Sequence, residues 1–329
     1  MRVLKLLFPI LAIACCSCAL SAQLRQVAIL DIPGRPGFDD VAFAGGKLVM
    51  THAGANVVDI FDPVRRRLYA RVNNMAQPRG IAVDEQGARV FIANAANDTI
   101  TVLSTQDWQV KSNFKVPSSP DELLFVPETR TLYVSNWHDG SVSAIDPQSG
   151  TARTDTVGGR PRGMAFDPQS HHLMVSLEDQ AIVAVLTPDL KPVTQFQLRG
   201  SQPTALSLDA KGRRLFCSVR YAVVALDADS GAEVGRVTTG AGADRLWFDE
   251  LSRTLYAAAG GGTVTTIGLD GNRYVAEQEL TTDVRGHALA FDPENKLVYV
   301  PGGREGRSKL VILKRFATAQ RRTESAAVR

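Results

Sequence analysis

A short apolar strand followed by a turn recurs along the chain at intervals of 40 to 43 residues. In most copies bulky apolar side chains alternate with small ones, as in Leu206-Ser207-Leu208 and Leu289-Ala290-Phe291. Successive residues of a strand point to opposite faces, so one face of the predicted sheet is bulky and the other is slim. The strands end at seven marker positions, which are Ala44, Asp84, Val126, Asp167, Asp209, Asp249 and Asp292.

Three further strands are predicted after each of the first six markers, and two after the seventh. The second is apolar, as in Leu132-Tyr133-Val134, the third is mixed, as at residues 141–146, and the fourth is more polar, as at residues 233–237. Residues 23–329 show no sustained helical period. Units of about 40 residues with four short strands are typical of propeller blades, so the sequence predicts an all-β, seven-bladed β-propeller of four-stranded blades.

The N-terminal strand is expected to close the ring. The last unit has only three strands, which end near residue 316, and residues 26–32 precede the first marker at the distance of a fourth strand. Pairing these two segments leaves no free sheet edge. The prediction is one propeller domain over residues 23–316, followed by a basic tail at residues 317–329 that we expect to be unstructured.

Residues 1–22 have the layout of an export signal peptide. Arg2 and Lys5 precede an apolar run that is too short to span a membrane, and the small residues at 19–22 suit cleavage. Residues 12–15 also resemble a bacterial lipobox, in which case Cys15 would become the lipidated N-terminus. Both cleavage sites stay open, and either one predicts a periplasmic or secreted protein.

Composition and charge narrow the classes of partner. The 329-residue chain has a formal charge of +3, and removal of residues 1–22 leaves 35 basic against 34 acidic side chains. This balance gives no reason to expect nucleic acid as a partner, or a membrane other than through a lipid on Cys15. Cys217 is the one cysteine of the predicted propeller, and its apolar neighbours indicate an inert buried thiol. We expect a monomer without a cofactor.

Two second strands carry a motif of a known family. Leu132-Tyr133-Val134-Ser135-Asn136 and, more loosely, Val90-Phe91-Ile92-Ala93-Asn94 resemble the repeat of the YVTN-repeat propellers, also called YncE-like. The resemblance covers residues 25–316 and implies an exported bacterial propeller. Many members of that family have no assigned activity, and some are described as binding ligands or DNA. The last four units replace the motif's Asn by Leu177, Val219, Ala259 and Gly302.

The starts of the inner strands should form the mouth of the central channel. Five positions before successive markers stand Asp39, Arg79, Asp121, Arg162, Thr204, Asp244 and His287, and Arg245 follows the sixth of them. Neighbours in this order are neighbours around the ring, so acids and bases largely alternate. The favoured interpretation is a ring of ion pairs that neutralise one another. The other is that Arg79, Arg162 and Arg245 hold a small anion such as a carboxylate or phosphate.

Loops that join second to third strands face the same mouth. Their candidate binding residues are Asn136, Trp137, Glu178, Arg220 and Tyr221. The aromatic rings among them would either contact a ligand or cover a neighbouring blade. His138 and the pair His171-His172 lack the spacing of a metal site.

No group of residues in the sequence points to a particular reaction. The leading hypothesis is therefore a ligand-binding or protein-interaction module of the bacterial envelope, with a small anionic ligand or an envelope protein at the channel mouth. The alternative is a propeller enzyme, lactonase-like or quinoprotein-dehydrogenase-like, with Ca²⁺ or a cofactor in the channel. The acids available for such a metal are Asp39, Asp121, Glu178 and Asp244. DNA binding is implied only by the resemblance, and the balanced charge argues against it.

Overall fold

Seven four-stranded antiparallel sheets follow one another along the chain in a computed structural model that describes residues 22–271 and 273–317. The first strand, β1, spans Ala22–Ile32. Blades 1 to 3 contain β2 (Val41–Ala44), β3 (Lys47–His52), β4 (Val57–Asp62) and β5 (Arg67–Val72), then β6 (Pro78–Asp84), β7 (Arg89–Asn94), β8 (Thr99–Ser104) and β9 (Val110–Lys115), then β10 (Pro120–Val126), β11 (Thr131–Asn136), β12 (Ser141–Ile145) and β13 (Ala152–Thr156). A short 3-10 helix, Ala53–Ala55, follows β3.

Blades 4 to 7 repeat this plan. They contain β14 (Pro161–Asp167), β15 (His172–Leu177), β16 (Ile182–Leu186) and β17 (Pro192–Gln197), then β18 (Leu206–Asp209), β19 (Arg214–Val219), β20 (Ala222–Asp227) and β21 (Glu233–Thr238), then β22 (Ala243–Asp249), β23 (Thr254–Ala259), β24 (Thr263–Asp270) and β25 (Arg273–Thr281), and finally β26 (Ala290–Asp292), β27 (Leu297–Arg304) and β28 (Arg307–Ala317). The all-β, seven-bladed prediction is confirmed.

The N-terminal strand completes blade 7, as the sequence predicts. β1 pairs antiparallel with β28 from Ala22 opposite Ala317 to Ile32 opposite Ser308, which gives the strand order β26-β27-β28-β1. The chain then crosses to blade 1, where the fully buried His52 holds it. Its Nδ1 lies 2.8 Å from Asp59 Oδ2 and its Nε2 lies 2.7 Å from the carbonyl oxygen of Arg35. This contact fastens the crossing segment to the first blade.

Apolar packing joins each blade to the next. Phe216 of blade 5 lies in one buried cluster with Leu246 and Leu255 of blade 6. Tyr256 of blade 6 in turn stacks on Phe291 of blade 7, with ring centroids 4.9 Å apart. Between blades 4 and 5, the small Ala165 packs with Leu206 and Leu208, so the bulky and slim faces predicted from the alternation meet there. Cys217 is fully buried in such a cluster, and burial raises the pKa of its thiol.

The aspartates at five of the markers cap the turn from the first to the second strand. The Asp84 carboxylate, for example, accepts a hydrogen bond of 2.9 Å from the Gly87 N–H. In three blades the same carboxylate binds an arginine of the following blade; the pairs are Asp167–Arg213, Asp209–Arg253 and Asp249–Arg315. The recurring aspartate thus combines a local turn with a clasp between blades.

Three predictions concern residues outside the described ranges. These are the signal peptide at residues 1–22, apart from Ala22, the lipidation of Cys15, and the unstructured tail, which overlaps the described residues only at Ala317. In the part of the chain that is described, no helix is long and apolar enough to cross a membrane.

Candidate functional site

β-Bulges at the starts of inner strands position the charged side chains of the channel mouth. In blade 3, Pro120 pairs with Asn136 but Leu123 pairs with Val134, so the inner strand carries one extra residue at Asp121-Glu122. The same irregularity occurs at Arg79-Gly80 in blade 2 and Arg162-Gly163 in blade 4. A bulge bends the strand and re-aims its side chains.

The glycines of the two Pro-Arg-Gly sequences are explained by close approach of the neighbouring blade. A Cβ on Gly80 would lie 2.3 Å from the Asp121 carbonyl oxygen, and a Cβ on Gly163 would lie 2.3 Å from the Thr204 carbonyl oxygen. The Gly163 N–H donates to that Thr204 oxygen at 2.9 Å. Only a residue without a side chain fits between the two backbones.

The mouth residues predicted from the repeat register lie together as a chain of ion pairs. Arg79 Nη1 lies 2.7 Å from one oxygen of Asp121, and Arg162 Nη1 lies 2.8 Å from the other. Arg162 Nη2 also approaches Asp244 to 3.8 Å, and His287 Nδ1 lies 3.2 Å from the second oxygen of Asp244. The alternating charges therefore compensate one another across blades.

A second set of charges lies beneath these pairs. Arg245 Nη2 is 2.6 Å from Asp40 Oδ2, and Arg245 Nη1 is 2.7 Å from Glu122 Oε1. Asp40 also accepts hydrogen bonds from the backbone N–H groups of Val41 and Ile81, at 2.7 and 2.9 Å. Sequence reasoning missed Asp40 and Glu122 because each stands one position beyond the register of the mouth. The sequence feature that could have identified them is a pair of adjacent acids at the start of an inner strand, as in Asp39-Asp40 and Asp121-Glu122.

These charges form a collar, a name used here for Asp39, Asp40, Arg79, Asp121, Glu122, Arg162, Asp244, Arg245 and His287. It contains five carboxylates, three guanidiniums and one imidazole. Asp39 alone among these carboxylates makes no ion pair with any described residue. With all nine groups ionised the collar carries a net charge of −1, and Asp39 is its unpaired acid.

Burial shifts the titration of the collar. Burial and the nearby Asp121 carboxylate raise the pKa of Asp39 to about 6. Burial also raises the pKa of Asp40 to about 7, although Arg245 opposes the shift. Burial lowers the pKa of His287, but the Asp244 and Asp39 carboxylates outweigh that effect and raise it overall. The collar thus contains two acids with raised pKa values, Asp39 and Asp40, and an imidazole whose pKa is also raised.

The space left inside the collar is small. A cavity of about 40 Å³ lies among Asp39, Asp121, Arg162, Asp244 and His287. That volume accommodates a water molecule or the tip of a side chain, whereas sites for organic ligands commonly enclose some 300–1,000 Å³. A large ligand can therefore contact this mouth only from outside.

The loop candidates have different surroundings. Asn136 does not belong to the mouth surface, because its side chain is fully buried and its Nδ2 donates to Ser141 and Ser143 of the same blade. Trp137 donates from Nε1 to Glu178 at 2.8 Å, which joins blades 3 and 4. The aromatic ring is thus held against its neighbour, as one of the two interpretations predicts.

Two loop candidates remain accessible. Tyr221 is 58% exposed, and the guanidinium of Arg220 lies over its ring at 5.5 Å. This exposed pair can therefore contact a partner surface. Within the described residues no three His, Cys, Asp or Glu side chains are grouped in a way that could hold a metal ion.

Comparison with known proteins gives relatives and fold neighbours. No protein-family model matches the chain. The chain is 21% identical over 263 residues to a Salmonella typhi protein described as uncharacterized protein YncE, covering 74% of each. A YncE protein of Escherichia coli O157:H7 is 22% identical over 191 residues, which cover 53% of this chain and 54% of the relative.

Two solved structures show the same fold at low identity. A chain of Kuenenia stuttgartiensis hydrazine synthase superposes with a TM-score of 0.73 at 16% identity, covering 88% of this chain and 97% of that one. A chain of a mitotic checkpoint complex superposes with a TM-score of 0.76 at 10% identity, covering 94% and 96%. At these identities the similarity concerns the fold alone.

Proposed function

Since the chain is a YncE-like seven-bladed β-propeller, we propose that it is a binding module of the bacterial envelope that engages a ligand or an envelope protein at its channel mouth. The observation that carries the proposal is the collar, in which the Asp39 carboxylate has no ion pair among the described residues and lines a space of about 40 Å³. The export signal at residues 1–22 supports the location. An exposed surface formed by Arg220 and Tyr221 adjoins the collar and suits contact with a partner.

The charge of the collar favours a cationic group of the partner. All three collar arginines already bind carboxylates, so an anion would have to compete with Asp40, Asp121 and Glu122 for them. Asp39, in contrast, has a carboxylate without an ion pair among the described residues. A lysine or arginine side chain at this position would lower the pKa of Asp39 and gain a charge-assisted hydrogen bond. The anionic ligand expected from the sequence has less support.

Thermal shift tests this proposal with simple probes. Tri-lysine should raise the melting temperature of the purified protein, whereas tri-glutamate and phosphate should not, because only the folded state presents the collar. Asp39→Asn should abolish the shift, and Asp270→Asn on the outer surface should retain it. A shift produced by phosphate and lost in Arg162→Ala would restore the anionic ligand. Cell fractionation that leaves the protein in the cytoplasm would contradict the envelope location.

One observation favours an enzyme as second candidate. Asp39, whose pKa is raised to about 6, and His287, whose pKa is also raised, line one concave site, a combination found in acid–base catalysis. The collar does not fit a resident Ca²⁺, because Asp121 and Asp244 are engaged by Arg162 and the described residues offer no three-ligand group. Turnover of a lactone that Asp39→Asn abolishes would establish an enzyme and overturn the binding proposal.

A further inference from the structure

The central channel opens into a large cavity on the face opposite the mouth. It encloses about 1170 Å³ and ends inside at Asp40, Glu122 and Arg245. Its outer rim is formed by turns that include Arg66 and Glu294. The volume reaches the range in which proteins bind organic molecules. This cavity is separate from the proposed binding surface at the mouth, because the Arg245 ion pairs lie between them.

The wall of this cavity departs from the repeat at two positions. Five blades have a small residue in the middle of the inner strand, namely Ala42, Ala82, Ala165, Ser207 and Ala290. Blades 3 and 6 instead have Leu124 and Trp247, and both line the cavity. Trp247 is 42% exposed, so packing between blades does not bury its whole side chain. An exposed tryptophan inside a concave apolar wall is typical of a ligand contact.

The remaining wall is apolar and contains several aromatic rings, and the charged residues around the cavity are mostly acidic. Phe43, Phe125 and Phe248 line the channel beside Trp247. The charged residues around the cavity are the acids Asp40, Glu122, Asp292 and Glu294 and the bases Arg66 and Arg245, four against two, for a net charge of −2 with all of them ionised. Such a site repels anions and attracts cations, whose charge also interacts favourably with aromatic faces.

One carboxylate oxygen at the inner end is available to a ligand. Glu122 Oε1 accepts a hydrogen bond from Arg245, while Glu122 Oε2 accepts no hydrogen bond from residues 22–271 or 273–317. The side chain of Glu122 is 21% exposed and lines both this cavity and the smaller cavity at the mouth, so a group in either cavity can approach its carboxylate. Asp40 and Glu122 share one cation, Arg245. An ammonium group placed beside Glu122 would supply a second.

We propose that the cavity binds a small amphiphilic cation, with its apolar body along Trp247, Phe43 and Phe125 and its ammonium group at Glu122. The ligand enters from the face of the first-to-second-strand turns. The apolar body supplies most of the affinity through buried surface, and the charge supplies the selectivity.

Three probes of equal chain length test the proposal: octyltrimethylammonium, octanol and octanoate. Titrated into the full protein below their micelle concentrations, they are followed by calorimetry and by tryptophan fluorescence. Octyltrimethylammonium should bind about tenfold tighter than octanol, and octanoate should bind weakest. Ser207→Trp, at a partly exposed position of the wall on blade 5, should fill the cavity and abolish binding of all three. Tyr69→Phe, on the outer strand β5, should leave the affinities unchanged.

Two variants separate the apolar contact from the charge. Trp247→Ala should weaken octanol and octyltrimethylammonium by the same factor, because both lose the aromatic wall. Glu122→Gln should bring the affinity of octyltrimethylammonium down to that of octanol, with octanol unaffected. Since Glu122 pairs with Arg245, the melting temperature of each variant is recorded first, and Trp247→Ala, which breaks no ion pair, keeps the test valid if Glu122→Gln does not fold.

Three results would overturn the proposal. Equal affinity of the three probes would leave an apolar site without cation selectivity. Selectivity lost in Glu294→Gln but kept in Glu122→Gln would place the charge at the rim. If none of the three probes binds, the cavity is not a binding site for such ligands. None of these results alters the test of the mouth, which depends on tri-lysine and Asp39.

Discussion

The guanidinium of Arg245 in blade 6 crosses the channel to the carboxylate of Glu122 in blade 3, with Nη1 2.7 Å from Oε1. The same guanidinium binds Asp40, at the start of blade 1, at 2.6 Å. Three blades that share no sheet are thereby tied at one point. The pairs also separate the polar mouth from the apolar cavity below, which makes Arg245 the boundary between the two proposed binding regions.

Arg245→Met should be strongly destabilising. It leaves Asp40 and Glu122 without their cation in a buried position, a change that commonly costs about 3–5 kcal/mol of unfolding free energy. The loss should be larger at pH 8 than at pH 5, because Asp40 takes up a proton as the pH falls and its burial then costs less. Urea denaturation at both pH values measures this. Arg220→Met, at an exposed position, should stay within about 0.5 kcal/mol.

Asp39→Asn should stabilise the protein at neutral pH. The pKa of Asp39 rises from 3.8 to about 6 in the folded state, so the folded protein holds this proton more tightly than the unfolded chain. Stability from this group is present below pH 4 and is lost as the pH rises to 6. Asp39→Asn removes this titration, so its unfolding free energy at pH 7 should exceed that of the wild type by on the order of 1–3 kcal/mol. An unchanged slope of stability between pH 4 and 6 would contradict the assignment.

Gly163→Ala should lower the melting temperature, whereas Gly261→Ala should not. A methyl group at Gly163 meets the Thr204 carbonyl oxygen at 2.3 Å, but one at Gly261 meets nothing within 4 Å. Forcing two backbones apart costs roughly 1–3 kcal/mol. The bulge that carries Arg162 would shift as well, so the response to tri-lysine should fall together with the stability. Equal melting temperatures of the two variants would show that blades 4 and 5 can separate freely here.

His52→Ala should loosen the closure of the ring. It removes the contacts of a fully buried imidazole with Asp59 and with the backbone of Arg35, and leaves a buried carboxylate with fewer partners. The expected loss of unfolding free energy is about 2–4 kcal/mol. Limited proteolysis should then cut near residues 33–37 before any other loop. His138→Ala, at an exposed loop position, should behave as wild type.

Local pattern determined most of the fold. The seven markers and the alternation of bulky and small residues count the blades, and the missing last strand identifies β1 as its replacement. The same register placed Asp39, Arg79, Asp121, Arg162, Asp244 and His287 around one mouth. Such features are readable because each depends on spacing within one repeat, and the closed ring then converts sequence order into spatial order.

Only the tertiary structure decided what those residues touch. The pairing of Arg245 with Glu122 joins positions 123 apart in the chain, and Trp247 shares its cavity with residues of other blades, such as Phe43 and Phe125. The bulges that turn Glu122 inward, and the burial of Asn136 inside its own blade, are likewise invisible in the repeat. Contacts across a channel depend on the geometry of all seven blades at once, and a repeating sequence specifies each blade separately.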